Sequence, residues 1–233
     1  NNIIGIINMA ALKQARESLR NPLIYYDSNI SIMLGILKAI PKSPVKYIVF
    51  SSSCSIYGAS SEVSELSEPN PISPYGRSKL FCETILKDCA AALNLSFISL
   101  RYFNVIGNDN FPFAFDSSKE CLLPSIYSKI SNRELPEING TNFPTPDGTT
   151  LRDYIDVRDL AEAHYLAAKK LMNDNDKLNL FINVGTGKPI SVLKIVKVFL
   201  DVLQLKFEYI DKGKSEADPD AVWADTRKFK SIF

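Results

Sequence analysis

The strongest constraint on this chain is an alternation. Short apolar runs rich in β-branched and aromatic residues, IIGIINM, VKYIVFSSS, SFISLRYFNVIG and LFINVG, are separated by helix-like stretches. Those stretches are YYDSNISIMLGILKAI, the segment from Ser73, and DLAEAHYLAAKKLM. Strands that are apolar throughout need cover on both faces, and a parallel sheet with amphipathic helices between its strands supplies it. The pattern predicts an α/β fold, a doubly wound parallel sheet. "IIGIINMAAL" (3–12) reads as a buried strand in it. The segment 108–150 breaks the rhythm with NDNFPFAFD, NRELP and NFPTPDGTT. It reads as a loop-rich second lobe beyond the strand ends, where ligands bind in such sheets. NDNDK (173–177) reads as a polar loop, and no internal repeat is evident.

Composition excludes several classes. A chain of 233 residues with 45% hydrophobic content can bury a substantial core, and a net charge of +1 gives no reason to expect nucleic acid or an anionic membrane as partner. The apolar start is too short to span a bilayer and lacks the basic flank of a secretion signal. Cys54, Cys82, Cys89 and Cys121 have neither metal-ligand nor disulfide-framework spacing, and the one histidine is His164. No metal site and a reducing, cytoplasmic setting are therefore expected. Cys82 and Cys89 fall two turns apart on one helix face, as core or interface residues.

The stretch "PISPYGRSKLFCE" (71–83) carries candidate chemistry. Ser73 is a helix cap and Pro74 suits the first helical position. Apolar residues then recur every three or four positions. Tyr75 and Lys79 stand at i and i+4 on one face, with Tyr75 in the first turn. A lysine cation and the positive end of the helix dipole are expected to push the tyrosine pKa down, toward the range of a general base. Taken alone, Tyr-x-x-x-Lys is equally an ordinary helix start. Ser53 makes the pattern far more specific: it ends the strand VKYIVFSSS 22 positions before Tyr75, at the edge that faces the binding crevice. The given sequence contains no G-x-G-x-x-G turn for a pyrophosphate. "VGTGKPIS" (184–191) fails as a phosphate loop, because Pro189 stands where a magnesium-binding hydroxyl is needed. It reads as a strand-to-helix turn with Ser191 as cap.

Several motifs in order complete the pattern: AALKQARES (10–18), YYDSN (25–29), SSSCSIYG (51–58), SPYGRSK (73–79), LRYFNVIG (100–107), PTPDGTTLRDYIDVRDLAEAH (144–164) and VWAD (222–225). With these the chain resembles the extended short-chain dehydrogenase/reductases, and among them the UDP-galactose (UDP-glucose) 4-epimerases. The resemblance implies a partial Rossmann-like sheet with a smaller substrate-binding lobe. Residues 1–107 and 151–187 would belong to the NAD-binding part, 108–150 and 188–233 to the lobe. By the same comparison the chain starts at the fourth strand and stops short of a C-terminal helix, as a fragment of a longer protein.

The resemblance also implies roles. Tyr75 removes the proton of the sugar 4-hydroxyl, Lys79 lowers its pKa and holds the nicotinamide ribose, and Ser53 orients the 4-oxygen. Met9, Ala10, Ala11, Leu12, Lys13, Asn29 and Phe103 match positions that meet NAD. Asn104, Cys121, Leu122, Asn139, Arg152 and Asp218 match positions that meet the UDP-sugar, with Arg152 on the diphosphate. His164 is a packing residue and Trp223 a core or lobe-interface aromatic. Helices 25–40 and 73–93 would pair into a homodimer. Three positions depart from the family pattern: Cys121 for asparagine, Asn139 for an apolar aromatic, and Ser215 for arginine, with Lys214 beside it as a substitute. Small Val222 predicts room for N-acetylated UDP-sugars. Nucleotide-sugar dehydratases and decarboxylases need a carboxylic acid just after the strand-end serine, where this chain has Cys54 and Ser55. A non-catalytic remnant is the other alternative.

Overall fold

The computed structural model of the protein describes residues 3–58, 61–108, 116, 118, 121–174, 176–214 and 218–233. Its central sheet has four parallel strands, β1 (Gly5–Asn8), β2 (Tyr47–Ser53), β4 (Ser96–Tyr102) and β8 (Asn179–Val184), in the order β1-β2-β4-β8. Alternation along β2 and β4 sorts their side chains to two faces. Ile48, Phe50 and Phe97 pack with Met33 and Leu37 of α2 (Pro22–Ala39) and with Cys82, Leu86 and Ala90 of α3 (Pro74–Ala92). Val49, Ile98 and Leu100 pack on the other side with Leu160, Ala163 and Ala167 of α5 (Val157–Asn173). The doubly wound arrangement is as expected, and Cys82 and half-buried Cys89 belong to the first of these cores.

Two expectations are corrected. The 3–12 segment is not a buried strand. Only Gly5–Asn8 is extended, and Ile3, Ile4, Ile7 and Met9 are exposed because β2 is the one neighbour of β1 among the described residues. SFISLRYFNVIG is not one strand either. It divides at Phe103 into β4 and β5 (Asn104–Ile106), which belong to different sheets. The apolar run continues because both halves are covered, while the pairing partner changes from β8 to β7 (Leu151–Asp156).

The second sheet runs β3 (Glu62–Val63), β11 (Ala221–Ala224), β7, β5, with β9 (Pro189–Ser191) antiparallel on β7. Asp153 knits it together. Its buried carboxylate accepts from the Thr186 N–H (2.8 Å), the Thr186 hydroxyl (2.6 Å), the Gly187 N–H (2.9 Å) and the Ala224 N–H (3.1 Å). Gly187 has φ +72°, a left-handed turn that glycine adopts freely. Ser191 then caps α6 (Val192–Val202), accepting from Lys194 N at 3.2 Å. Thus 184–191 is the turn the sequence suggests. Within 108–150 the chain is less loop-like than expected: α4 (Leu122–Ser131) packs Ile126 against Val196 and Leu200 of α6. A small parallel ladder, β6 (Glu137–Ile138) with β10 (Ile210–Asp211), lies beside it, and α7 (Arg227–Ile232) closes the chain. The polar loop expected at 173–177 is described on both sides of residue 175, which lies outside the described residues.

Candidate active site

The site lies where β2 ends and α3 begins. Ser73 caps α3, accepting from Gly76 N at 3.1 Å, with Pro74 in the first turn. Gly76 is needed here, since a Cβ would come within 2.4 Å of the Ser55 carbonyl. This close approach brings Tyr75 against the end of β2, where the Ser53 hydroxyl hydrogen-bonds its phenol. Ser53 also donates to Ser55 Oγ at 3.1 Å. The Tyr75 N–H is held by Ser18 Oγ (3.1 Å), and its ring meets Tyr25 edge-on at 6.4 Å.

Lys79 lies one turn further along α3, with its ammonium 6.0 Å from the centre of the Tyr75 ring and 5.1 Å from that of Phe50. Its one hydrogen bond in the structure goes to the backbone carbonyl of Ser51 (2.8 Å). Burial lowers its pKa from 10.5 to about 8. Burial likewise pushes the Tyr75 phenol well above its ordinary value, and the Ser53 hydrogen bond offsets this only in part. The expected downward shift of Tyr75 is therefore corrected. Sequence spacing places the two residues on one face but cannot show that both are removed from water, which disfavours each charged form.

Two layers support this trio. Asn29, midway along α2, accepts from Leu12 N (2.8 Å) and donates to Leu12 O (3.1 Å) and Ser78 Oγ (2.9 Å). It fixes the 9–13 segment against the helix that carries Tyr75 and Lys79. Met9, Ala10 and Lys13 are exposed there and Ala11 and Leu12 half-buried, with Lys13 paired to Asp116. On the far face, His164 Nδ1 lies 2.9 Å from the Leu160 carbonyl and must donate to it, so neutral Nε2 accepts from Ser51 Oγ at 3.0 Å. Ser51 also bonds the Tyr102 phenol. His164 thus packs as expected, yet it also anchors the residue whose carbonyl holds Lys79.

The remaining predicted residues spread along the second sheet and α4. Phe103 is buried among Ile56, Tyr57, Val63, Val222 and Ala224, and Asn104 follows it, exposed, on β5. Half-buried Trp223 pairs β11 to Glu62 of β3. Cys121 is the cap residue of α4 and bonds Asp116 (3.2 Å), with Leu122 next to it. Asn139 stands apart at the end of β6, and Lys214 lies over the Phe143 ring at 4.3 Å. Ser215 lies outside the described residues. Buried Arg152, on β7, faces the electrostatic field of Asp218 and of Cys54, so it belongs to the same cleft as Ser53. Ser51, Ser18, Tyr102 and Arg16 were missed by sequence reasoning. Ser51 was findable, two places before Ser53 on one strand; nothing local marks the others.

The sequence profile of the NAD dependent epimerase/dehydratase family matches residues 1–185. A UDP-glucose 4-epimerase of Lactobacillus helveticus is 36% identical over 235 residues, spanning 99% of this chain and 71% of its own. Among solved structures, the UDP-glucose 4-epimerase of Bifidobacterium longum in complex with NAD+ and UDP superposes with a TM-score of 0.87 at 34% identity, covering 100% of this chain and 71% of that one. The UDP-N-acetylglucosamine 4-epimerase of Methanobrevibacter ruminantium M1, in complex with UDP-N-acetylmuramic acid, gives a TM-score of 0.81 at 30% identity over 98% of this chain and 70% of that one. The serine–tyrosine–lysine cluster, the parallel sheet beneath it and these likenesses agree: the chain belongs to the NAD dependent epimerase/dehydratase family.

Proposed function

We propose that the protein interconverts UDP-glucose and UDP-galactose at the sugar C4 position, with NAD as cofactor. The observation that carries this reading is the meeting of Ser53, Tyr75 and Lys79 at the end of β2. The donor set fits a dinucleotide. An ammonium has three N–H donors and Lys79 uses one, so two remain for the hydroxyls of a ribose. Bound NAD supplies a reversible hydride acceptor for the C4 carbon. Tyr75 takes the proton of the C4 hydroxyl and later returns it, while Ser53 holds that oxygen through both states. The charge of Lys79 favours the Tyr75 phenolate once ligands complete its hydrogen bonding. Met9–Lys13, Asn29 and Phe103 bound the cofactor side; Asn104, Cys121, Leu122, Asn139, Arg152 and Asp218 bound the nucleotide-sugar side. In this division 108–150 and 188–233 carry the UDP-sugar.

Dehydratase or decarboxylase chemistry is disfavoured because burial pushes the Cys54 thiol up to about 12, so no acid follows Ser53. Exposed Leu23 and Ile24 on α2 and Phe81 on α3, stacked on Tyr26 at 6.0 Å, support a cytoplasmic homodimer paired through these helices. By length and composition the stretch 22–42 would also suffice to cross a bilayer, but Met33 and Leu37 are committed to the sheet. The test is incubation of the protein with NAD and UDP-galactose, followed by chromatography. A mixture of both UDP-hexoses is expected; UDP-galactose recovered intact refutes the reading.

Val222 supports a wider sugar range. It pairs with Arg152 in register and packs near Phe103 with a side chain much smaller than an aromatic. UDP-N-acetylgalactosamine should turn over in the wild type, and Val222→Tyr should abolish that turnover while sparing UDP-galactose. Rejection of the N-acetylated sugar by the wild type ends this extension.

A further inference from the structure

Arg16, in the short helix α1 (Ala15–Arg20), reaches across 202 residues of sequence to Asp218 and forms an ion pair with it. Asp218 is also the leading source of negative potential at Arg152, and Arg16 is close enough for its like charge to oppose that of Arg152. Two guanidinium groups from distant elements thus converge on one carboxylate. Their surroundings offer little else. Arg152 is only 8% exposed, and its one hydrogen bond in the structure goes to the carbonyl of its own neighbour Leu151 (2.9 Å). Tyr154 and Cys54 beside it are held neutral by burial. Asp153 is on the opposite face of β7, and its oxygens are taken up by Thr186, Gly187 and Ala224.

The imbalance is one of donors. Each guanidinium carries about five N–H groups, and the pair faces one carboxylate and one carbonyl. A buried guanidinium with unmet donors is costly, and a group with several anionic oxygens would meet them. Arg152 is fixed by its burial, whereas Arg16 is partly exposed and can turn between Asp218 and a ligand.

We propose that Arg16 is a second diphosphate-binding residue, which acts beside Arg152 and is parked on Asp218 when no nucleotide is bound. This rests on the UDP-sugar reading above. Because Asp218 already balances one positive charge, the ligand exchanges places with a carboxylate, and Arg16 contributes selectivity for diphosphate over the uncharged nucleoside.

The test compares binding of UDP and of uridine by calorimetry to the wild type, Arg16→Ala and Arg16→Lys. Arg16→Ala should weaken UDP by about tenfold or more, the worth of one charge-assisted contact, and leave uridine unchanged. Arg16→Lys should fall between, since it keeps the charge and loses the fork. Equal UDP affinity in wild type and Arg16→Ala would overturn the proposal, as would a parallel loss for both ligands. A wild type that binds uridine but not UDP would instead remove the functional reading, and this inference with it.

Discussion

Glu83 holds Arg101 by two edges: its carboxylate accepts from Nε at 3.0 and 3.2 Å and from Nη2 at 2.8 Å, deep between α3 and β4. The guanidinium is sandwiched by the rings of Tyr57 (5.3 Å) and Phe181 (4.8 Å), and its Nη1 donates to the Tyr57 hydroxyl at 2.9 Å. Glu83 lies one turn beyond Lys79, so this pair ties the helix of the active site to the central sheet.

Breaking that pair on one side strands a buried charge. Glu83→Gln should therefore cost about 3–5 kcal/mol of stability, read as a lower midpoint in urea. The double variant Glu83→Leu with Arg101→Met should lose less than either single change, because no charge is then left unpaired.

Lys79 makes the fold pH-dependent in an unusual direction. Its folded pKa of about 8 lies below the unfolded 10.5, so the unfolded chain binds more protons between those values. The penalty is complete below pH 8 and is relieved as pH rises to 10.5. It is on the order of 3 kcal/mol from the size of the shift. Lys79→Met should unfold at a higher temperature than the wild type at pH 7, and this advantage should shrink between pH 8 and 10.5. A constant difference across that range would show that the lysine is not desolvated.

Tyr75→Phe keeps the ring that packs on Tyr25 and removes the proton carrier. Epimerisation should fall by about a hundredfold to ten-thousandfold, the usual contribution of general acid–base catalysis, with the thermal midpoint nearly unchanged. Activity within a factor of two of wild type would take Tyr75 out of the mechanism.

His164 is held neutral by burial, with its pKa below the ordinary 6.5. The unfolded chain gains this proton first as pH falls through 6.5, so wild-type stability should drop there. Tyr102 and Ser51 face the ring from the sheet and Leu160 O from its own helix, and none of them supplies a countercharge. His164→Leu should lose about 1 kcal/mol at pH 7.5 through the Ser51 bond, and the gap should narrow toward pH 5.5. Differential scanning at several pH values measures it.

What could be read from sequence was what local patterns encode. Ser73, Pro74 and the spacing of Leu80, Cys82 and Leu86 specify α3, and the unbroken VKYIVF specifies a covered strand. Ser53, Tyr75 and Lys79 were found because one strand end and one helix start carry all three. The strand change at Phe103 was hidden because an apolar run does not say which neighbour it pairs with. The pKa directions of Tyr75 and Lys79 were hidden because burial is a property of the folded whole. Arg16 and Asp218 were hidden for the plainest reason: their meeting depends on every element between them.

At Phe103 a single residue separates a strand of one sheet from a strand of the other, so Tyr102 and Asn104 lie within about 7 Å whatever the two sheets do. Sliding one half past the other is thereby forbidden, and what remains is rotation about this point. Phe103 is a fulcrum set close to the chemistry. The rim at α4 and β6 can swing to admit a sugar nucleotide, while Ser53 and Asn104, short levers on either side, hardly change their separation.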